Sequence, residues 1–95
     1  MTDLTVRVRY FNVLAVYAGT KRAEVKVPAG LSVRAFLHHL AEINPPAFRR
    51  ALVREEAITA YLRVFQNDKL VAGPALDGPV LDGDELMLFP AIAGG

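Results

Sequence analysis

A single amphipathic helix limits the folds open to this chain more than any other feature of its sequence. Residues 33–43 place apolar side chains at helical spacing, so that one stripe can face a core. Ser32 is a typical N-cap residue, and Asn44-Pro45-Pro46 should end the helix. The stripe consists of Val33, Phe36, Leu37, Leu40 and Ile43. One helix cannot bury such a stripe alone, so other segments must supply a second apolar surface.

Segments of alternating polarity predict that a sheet supplies this surface. The clearest begins at residue 4, where the side chains that share one side are Leu4, Val6, Val8 and Tyr10. Four more strands are predicted at residues 22–27, 60–66, 69–72 and 85–89. A short helix from Val13 to Ala18, which Asn12 should cap and Gly19 should end, lies between the first two strands. Residues 47–58 are expected to form a second short helix or an ordered loop.

The predicted order of elements is β-β-α-β-β-β. It indicates an α+β fold with a mixed sheet of about five strands and one main helix packed across it. If the first two strands are antiparallel and the last returns beside the first, this is the β-grasp arrangement of ubiquitin. We expect one domain over residues 1–89 and a flexible C-terminal tail over residues 90–95.

Composition excludes several classes of function. The chain has 95 residues, a formal net charge of +1 and no cysteine. A charge so close to zero does not indicate nucleic-acid binding, and the missing cysteine excludes disulfides, thiolate metal sites and a cysteine nucleophile. His38 and His39 point about 100° apart on a helix and are not expected to share a metal ion. With no signal-peptide pattern and no apolar run of membrane-spanning length, we expect a cytoplasmic protein without a membrane partner.

The end of the chain is the most informative stretch for function. The last predicted strand ends at Phe89-Pro90, and proline ends ladder pairing because it has no N–H group to donate. Only small side chains and Ile92 follow, and the chain closes with Gly94-Gly95. A tail of this kind is expected to project, to be flexible and to have no bulk near its terminus.

These residues resemble the small subunit of molybdopterin synthase, the MoaD family of ubiquitin-like sulfur carriers. Members end in a similar Phe-Pro-Pro-Val-x-Gly-Gly, and the segment Val8-Arg9-Tyr10-Phe11, with Leu14 and Gly19 after it, also fits the family. The likeness at the C-terminus rests on Asp82-Gly83-Asp84-Glu85 and Leu88-Phe89-Pro90-Ala91-Ile92-Ala93-Gly94-Gly95. The chain departs from the pattern at Ala91, where a second proline is usual, and over residues 44–59, which are longer and richer in arginine.

The resemblance implies a carrier cycle in which the chain has no catalytic side chain and binds no cofactor of its own. An E1-like adenylyltransferase of the MoeB type uses ATP and magnesium to adenylate Gly95, and a sulfur donor enzyme then makes the thiocarboxylate. The large synthase subunit, of the MoaE type, takes up the tail and uses the sulfur to build molybdopterin. Related carriers serve thiamine synthesis or tRNA thiolation, or modify proteins. A β-grasp interaction module without sulfur chemistry is the alternative of another class.

Docking residues form the second part of the functional prediction. Aromatic side chains on the outward side of the strands, with an arginine rim, are typical of an interface. These outward residues are Phe11, Phe65, Met87, Phe89, Arg7, Arg9 and Arg63. The resemblance implies that both partners hold positions Phe11, Leu70 and Phe89, and we add Arg9, Pro90 and Ile92 as partner-binding residues. The alternative is that the aromatic side chains pack under residues 44–59 as ordinary core.

Overall fold

The computed structural model describes residues 3–90. Its helices are α1 (Val13–Ala18), α2 (Val33–Ile43) and α3 (Pro46–Leu52), with a 3-10 helix at Gly73–Asp77. Its strands are β1 (Asp3–Tyr10), β2 (Arg22–Pro28), β3 (Val53–Arg54), β4 (Ala57–Ile58), β5 (Arg63–Gln66), β6 (Lys69–Val71) and β7 (Glu85–Phe89). Of the flexible tail predicted over residues 90–95, Pro90 is described, and residues 91–95 lie outside the described residues.

Five of the strands form one mixed sheet in the order β2-β1-β7-β5-β6. β1 is antiparallel to β2 and parallel to β7, while β5 is antiparallel to both β7 and β6. The first and last strands thus lie side by side, and the predicted β-grasp arrangement is confirmed. Because β1 and β7 run in the same direction, their C-terminal ends meet at one edge of the sheet.

The core lies between α2 and one side of the sheet. The inward side chains of the two central strands are buried, and they are Leu4, Val6, Val8, Tyr10, Leu86 and Leu88. Ser32 caps α2 as predicted, since its hydroxyl oxygen accepts a hydrogen bond from the Ala35 N–H group at 3.0 Å. Ile43 departs from the predicted stripe, because it is 54% exposed while Ala41 is buried. These two positions lie on opposite margins of the stripe, so spacing alone could not distinguish them.

Residues 46–58 form a helix followed by the small β3–β4 hairpin. α3 buries Phe48 and Leu52 in the main core. The Phe48 ring meets the ring of Tyr10 edge-on, with centroids 5.2 Å apart. Because Tyr10 points to the inward side of β1, α3 packs on the same side of the sheet as α2. The alternative in which the outward aromatic side chains pack under this segment is therefore wrong.

The start of α1 differs from its prediction in one respect. Asn12 has φ 54° and ψ −133°, and its side chain makes no capping hydrogen bond. A capping side chain needs extended backbone angles at the N-cap, and the positive φ of Asn12 prevents that geometry. Gly19 ends the helix as predicted, with a left-handed φ of 77°. No helix within residues 3–90 is long and apolar enough to cross a membrane.

The turn of the β3–β4 hairpin carries local strain that a substitution can release. Its two connecting residues, Glu55 and Glu56, have φ angles of 51° and 67°. Two-residue turns with both φ angles positive favour Asn-Gly, because other residues adopt such angles at a cost of about 1 kcal/mol or more. We expect Glu55→Asn combined with Glu56→Gly to raise the free energy of unfolding by about 1–2 kcal/mol in urea denaturation.

Asp68→Gly is the matched control for this prediction. Asp68 also has a positive φ, 71°, in the Asn67-Asp68 turn between β5 and β6. Asn and Asp tolerate the left-handed region better than Glu, so this change should stabilise the protein less. An equal gain in both turns, or a loss in the β3–β4 hairpin, would contradict the assignment of strain to the glutamates.

Candidate partner-binding face

The outward side of the sheet carries the predicted docking residues in two rows. Side chains of directly paired residues lie on the same side of a sheet, so the strand register sets which of them are neighbours. The first row crosses all five strands of the sheet and reads Arg22, Arg9, Met87, Phe65 and Leu70. The second row lies toward the C-terminal ends of β1 and β7 and reads Phe11, Phe89 and Arg63. We call Phe11, Phe65, Leu70, Met87 and Phe89 the outer aromatic patch.

The three phenylalanines of the patch pack against one another. The rings of Phe11 and Phe89 are stacked, with centroids 4.1 Å apart and an interplanar angle of 13°. Phe65 meets Phe89 edge-on, with centroids 5.6 Å apart. Each ring is half-buried, and the neighbouring Leu70 is 55% exposed. Since the rings fix one another in place, a partner meets an apolar surface that needs little ordering on binding.

Arg9 lies at the rim of this patch. Its guanidinium carbon is 5.2 Å from the centroid of the Phe11 ring, and one of its terminal nitrogens is 3.9 Å from the sulfur of Met87. Within residues 3–90 the one ion pair joins Arg34 to Asp77, so no carboxylate of that part of the chain neutralises Arg9. The arginine is held over an aromatic face, an arrangement in which a guanidinium group is attracted to the ring.

Arg22 is a rim residue that the sequence analysis did not single out. It pairs with Arg9 across the β1–β2 ladder, so two arginines lie next to each other beside the patch. The register of the first hairpin is the signal that would have found it. The sequence does not reveal this register, because the long, partly helical connection between β1 and β2 does not set a unique pairing of the two strands.

The tail leaves the sheet beside the patch. The Phe11 N–H group donates to the Leu88 carbonyl at 3.1 Å, which extends the β1–β7 pairing to the end of both strands. Pro90 follows directly and is half-buried. Of the remaining predicted site residues, Ile92, Gly94 and Gly95 lie outside the described residues. The structure thus brings Phe11, Phe89, Leu70 and Arg9 onto one face, and Pro90 follows at the end of β7.

The Asp82-Gly83-Asp84 turn has a structural role larger than its sequence indicates. The Asp82 carboxylate accepts a hydrogen bond from the Thr5 N–H group at 2.8 Å. Asp84 is only 6% exposed. Its carboxylate accepts three hydrogen bonds of 2.8 Å, from the side chains of Gln66 and Asn67 and from the Leu81 N–H group. The turn therefore ties the start of β7 to β1 and to the β5–β6 turn.

These contacts also set the acidity of Asp84. Burial alone would raise its pKa, but the hydrogen bonds from Asn67, Leu81 and Gln66 outweigh burial and hold the pKa below the ordinary value. The carboxylate is therefore charged at neutral pH and fully used in hydrogen bonding. It is an anchor for the face rather than a free acid or base. Sequence alone shows a turn here, because the amide partners are far away along the chain.

The chain is similar to several known proteins. The model of the ThiS family matches residues 8–95. SAMP1 from Haloferax volcanii is 27% identical, with a TM-score of 0.80 over 96% of this chain and 99% of that one. A chain of the Amycolatopsis orientalis BexX/CysO complex is 31% identical, with a TM-score of 0.67 over 95% of this chain and 99% of that one. Among curated proteins, none matches the chain.

A third structure bears on the resemblance drawn from the C-terminal motif. A Pyrococcus furiosus protein described as a candidate molybdopterin converting factor, subunit 1, has a TM-score of 0.73 over 94% of this chain and 99% of that one. At 24% identity it shows a shared fold. The ThiS match itself begins in β1 and continues to Gly95, so it includes the sheet, α2 and the Gly-Gly end. The protein therefore belongs to the ThiS family of ubiquitin-like sulfur carriers and modifiers.

Proposed function

We propose that this protein is a sulfur carrier whose Gly95 carboxylate is adenylated and then converted to a thiocarboxylate. The parallel pairing of β1 and β7 is the observation that carries the proposal. It places the end of β7 beside Phe11, so the chain leaves the sheet next to the outer aromatic patch. An enzyme that binds the patch is thereby close to the last residues of the chain. Patch and tail act together, the first for recognition and the second for chemistry.

The proposed chemistry requires no catalytic side chain from the carrier. An oxygen of the Gly95 carboxylate attacks the α-phosphorus of ATP, and pyrophosphate leaves. Sulfur delivered at the oxidation level of sulfide then attacks the acyl carbon, and AMP departs with the former carboxylate oxygen. ATP and magnesium belong to the activating partner, an E1-like adenylyltransferase, and the sulfur comes from a donor enzyme. A chain without cysteine fits this division of labour, because the sulfur never has to rest on a side chain.

Molybdopterin synthesis is the destination we propose first, with the chain as small subunit of the synthase. Phe89-Pro90 and Leu70 match the MoaD pattern, and the structure places Leu70 directly across from Phe65 in the patch. A second candidate is a carrier for another pathway or a protein modifier. The 31% identity to a chain of the BexX/CysO complex and the 27% identity to SAMP1 favour this candidate.

Mass spectrometry of the intact protein tests the proposal. The chain is incubated with an E1-like enzyme of its host, ATP, magnesium and a sulfur donor. One oxygen at the C-terminus should be replaced by one sulfur. Failure with every E1-like enzyme of the host would overturn sulfur carriage. If the thiocarboxylated chain yields molybdopterin with the host's large synthase subunit, the first destination holds; covalent attachment to lysines would support the modifier.

Phe89→Ala should weaken docking more than folding. The change removes the stacking with Phe11 and the edge contact with Phe65, so a partner loses the centre of the apolar patch. Truncation of a central aromatic residue typically weakens binding by about tenfold to a hundredfold. We expect that loss in titration calorimetry with the activating enzyme. Ile43→Ala, an exposed apolar truncation on α2, is the control and should bind normally. Unchanged affinity of folded Phe89→Ala protein would exclude the patch as the interface.

A further inference from the structure

A second groove adjoins the outer aromatic patch. It lies between α1 and the end of the β1–β2 hairpin and has a volume of about 420 Å³. Three of its lining residues, Arg9, Phe11 and Arg22, also belong to the patch or its rim. Its other walls include Ala15, Val16 and Lys21. Any protein bound over the patch therefore has this groove at the edge of its footprint.

One side of α1 is apolar and uncovered. Leu14 anchors the helix in the core, where it is fully buried. Val13, Val16 and Tyr17 are exposed large apolar residues, and Val16 is 75% exposed. Their spacing of three and four residues places them on one face of the helix. A six-residue helix that exposes three such side chains has the character of a binding surface.

The charge of the groove has one sign. Its lining includes the cations Arg9, Lys21 and Arg22 and no carboxylate. The ion pair between Arg34 and Asp77, which is the one within residues 3–90, leaves these three cations without a carboxylate partner there. The adjacent groove on the sheet is lined by Arg7, Arg9 and Arg22 together with Glu24 and Glu85. Arg9 and Arg22 thus lie at the boundary between the two grooves, whereas Lys21 lines the α1 groove and not its neighbour.

We propose that the α1 groove is a second docking surface, which binds an acidic segment with apolar side chains from the enzyme that activates Gly95. The apolar side chains of that segment would pack on Val16 in the groove and on the exposed Val13 and Tyr17 beside it, and its carboxylates would pair with Lys21 and Arg22. This inference rests on the proposed sulfur-carrier function. The position of the groove supports it, since β1 leads into α1 at the edge of the sheet where β7 ends. The enzyme that holds the tail is thus close to α1.

The first test is the rate of ATP–pyrophosphate exchange by the host's E1-like enzyme at increasing carrier concentration. Lys21→Glu combined with Arg22→Glu should raise the KM for the carrier by about tenfold or more and leave kcat unchanged, because charge pairs at a rim act on encounter and binding. Val16→Asp should raise the KM as well. The KM for the unmodified carrier should rise with salt, and that of the charge-reversed variant should not. Lys26→Glu, a single charge reversal further along β2, is the control and is compared with Lys21→Glu alone as well as with the double variant.

The outcomes separate the two proposals. If the unmodified chain supports exchange and the groove variants behave like Lys26→Glu, the inference is wrong and the carrier function stands. If the unmodified chain supports no exchange, the carrier function fails, and a titration of the 15N-labelled chain with the peptide Asp-Leu-Glu-Asp-Leu-Glu decides about the groove. Amide chemical-shift changes confined to residues 12–22 would support an acidic ligand, provided that the neutral peptide Asn-Leu-Gln-Asn-Leu-Gln does not cause them. Equal shifts with both peptides, or none, would overturn it.

Discussion

Deletion of Gly95 is expected to abolish thiocarboxylate formation and to leave the fold unchanged. In the proposed cycle the reacting group is the terminal carboxylate, and removal of one residue draws it back by about 3.5 Å. Displacements of this size exceed the tolerance for positioning a nucleophile at a phosphorus atom, where even about 1 Å can cost a hundredfold in rate. The last strand ends at Phe89, well before the site of deletion. The midpoint of thermal unfolding should therefore change by less than about 2 °C.

Two further variants make the result specific to the terminus. Addition of one alanine after Gly95 should abolish modification as completely as the deletion does. The carboxylate then lies one residue further along the chain, on a residue that carries a Cβ atom. Ala93→Gly keeps both the length and the terminal glycines and should be modified normally. For all three variants, sulfur incorporation is measured by mass spectrometry after incubation with the activating enzyme and a sulfur donor. Sulfur incorporation into either altered terminus would show that the reacting group lies elsewhere.

Asp84→Ala is expected to cost about 3 kcal/mol of unfolding free energy. The change removes an acceptor that serves the amides of Gln66 and Asn67 and the Leu81 N–H group, and leaves those donors unsatisfied at a largely buried position. Asp82→Ala in the same turn is the matched control. Asp82 is exposed and accepts one hydrogen bond, from Thr5, so its loss should cost about 1 kcal/mol. Equal effects of the two variants in urea denaturation would contradict the anchoring role of Asp84.

The same carboxylate should make stability fall in acid. The folded-state pKa of Asp84 lies below its ordinary value of 3.8, so its contribution is fully present above that value. It is lost as the pH falls from about 4 through the lowered folded-state pKa, where the native state must take up a proton. Asp84→Asn cannot titrate, so its stability deficit relative to the unmodified protein should shrink over that window. A deficit that stays constant from neutral pH into acid would show that Asp84 does not titrate in this way.

Much of the fold could be derived from local patterns. Alternation along residues 4–10 is a direct consequence of the two-residue period of a strand, and all four predicted inward side chains are buried. The cap of α2 at Ser32 and its end before Pro45 follow from backbone hydrogen bonding, which is a local matter. The predictions that were wrong concern residues for which the local pattern favours two outcomes about equally. Ile43 and Ala41 occupy opposite margins of one stripe, and Asn12 has a side chain suited to capping but a backbone that forbids it.

The candidate site divides in the same way. From the sequence came the Phe-Pro step and the Gly-Gly end, and the proposal that the Gly95 carboxylate is the reacting group rests on the resemblance that these residues carry. The family resemblance marked Phe11, Leu70 and Phe89, and strand alternation marked Phe11 and Phe89 as outward positions. Nothing local could say that Phe11 stacks on Phe89 or that Leu70 lies across from Phe65. Their strands are distant in the chain, and the contact depends on strand register.

The tertiary structure alone decided which of the predicted site residues lie together. Parallel pairing of the first and last strands stacks Phe11 on Phe89, sets Arg9 over the Phe11 ring and ends β7 at the same edge of the sheet. It also turned Asp84 from a turn residue into a buried anchor and left α1 with an uncovered apolar side. Each of these features depends on contacts between residues far apart in sequence. Such contacts stabilise the protein only once the intervening chain has paid the entropy cost of closing a long loop.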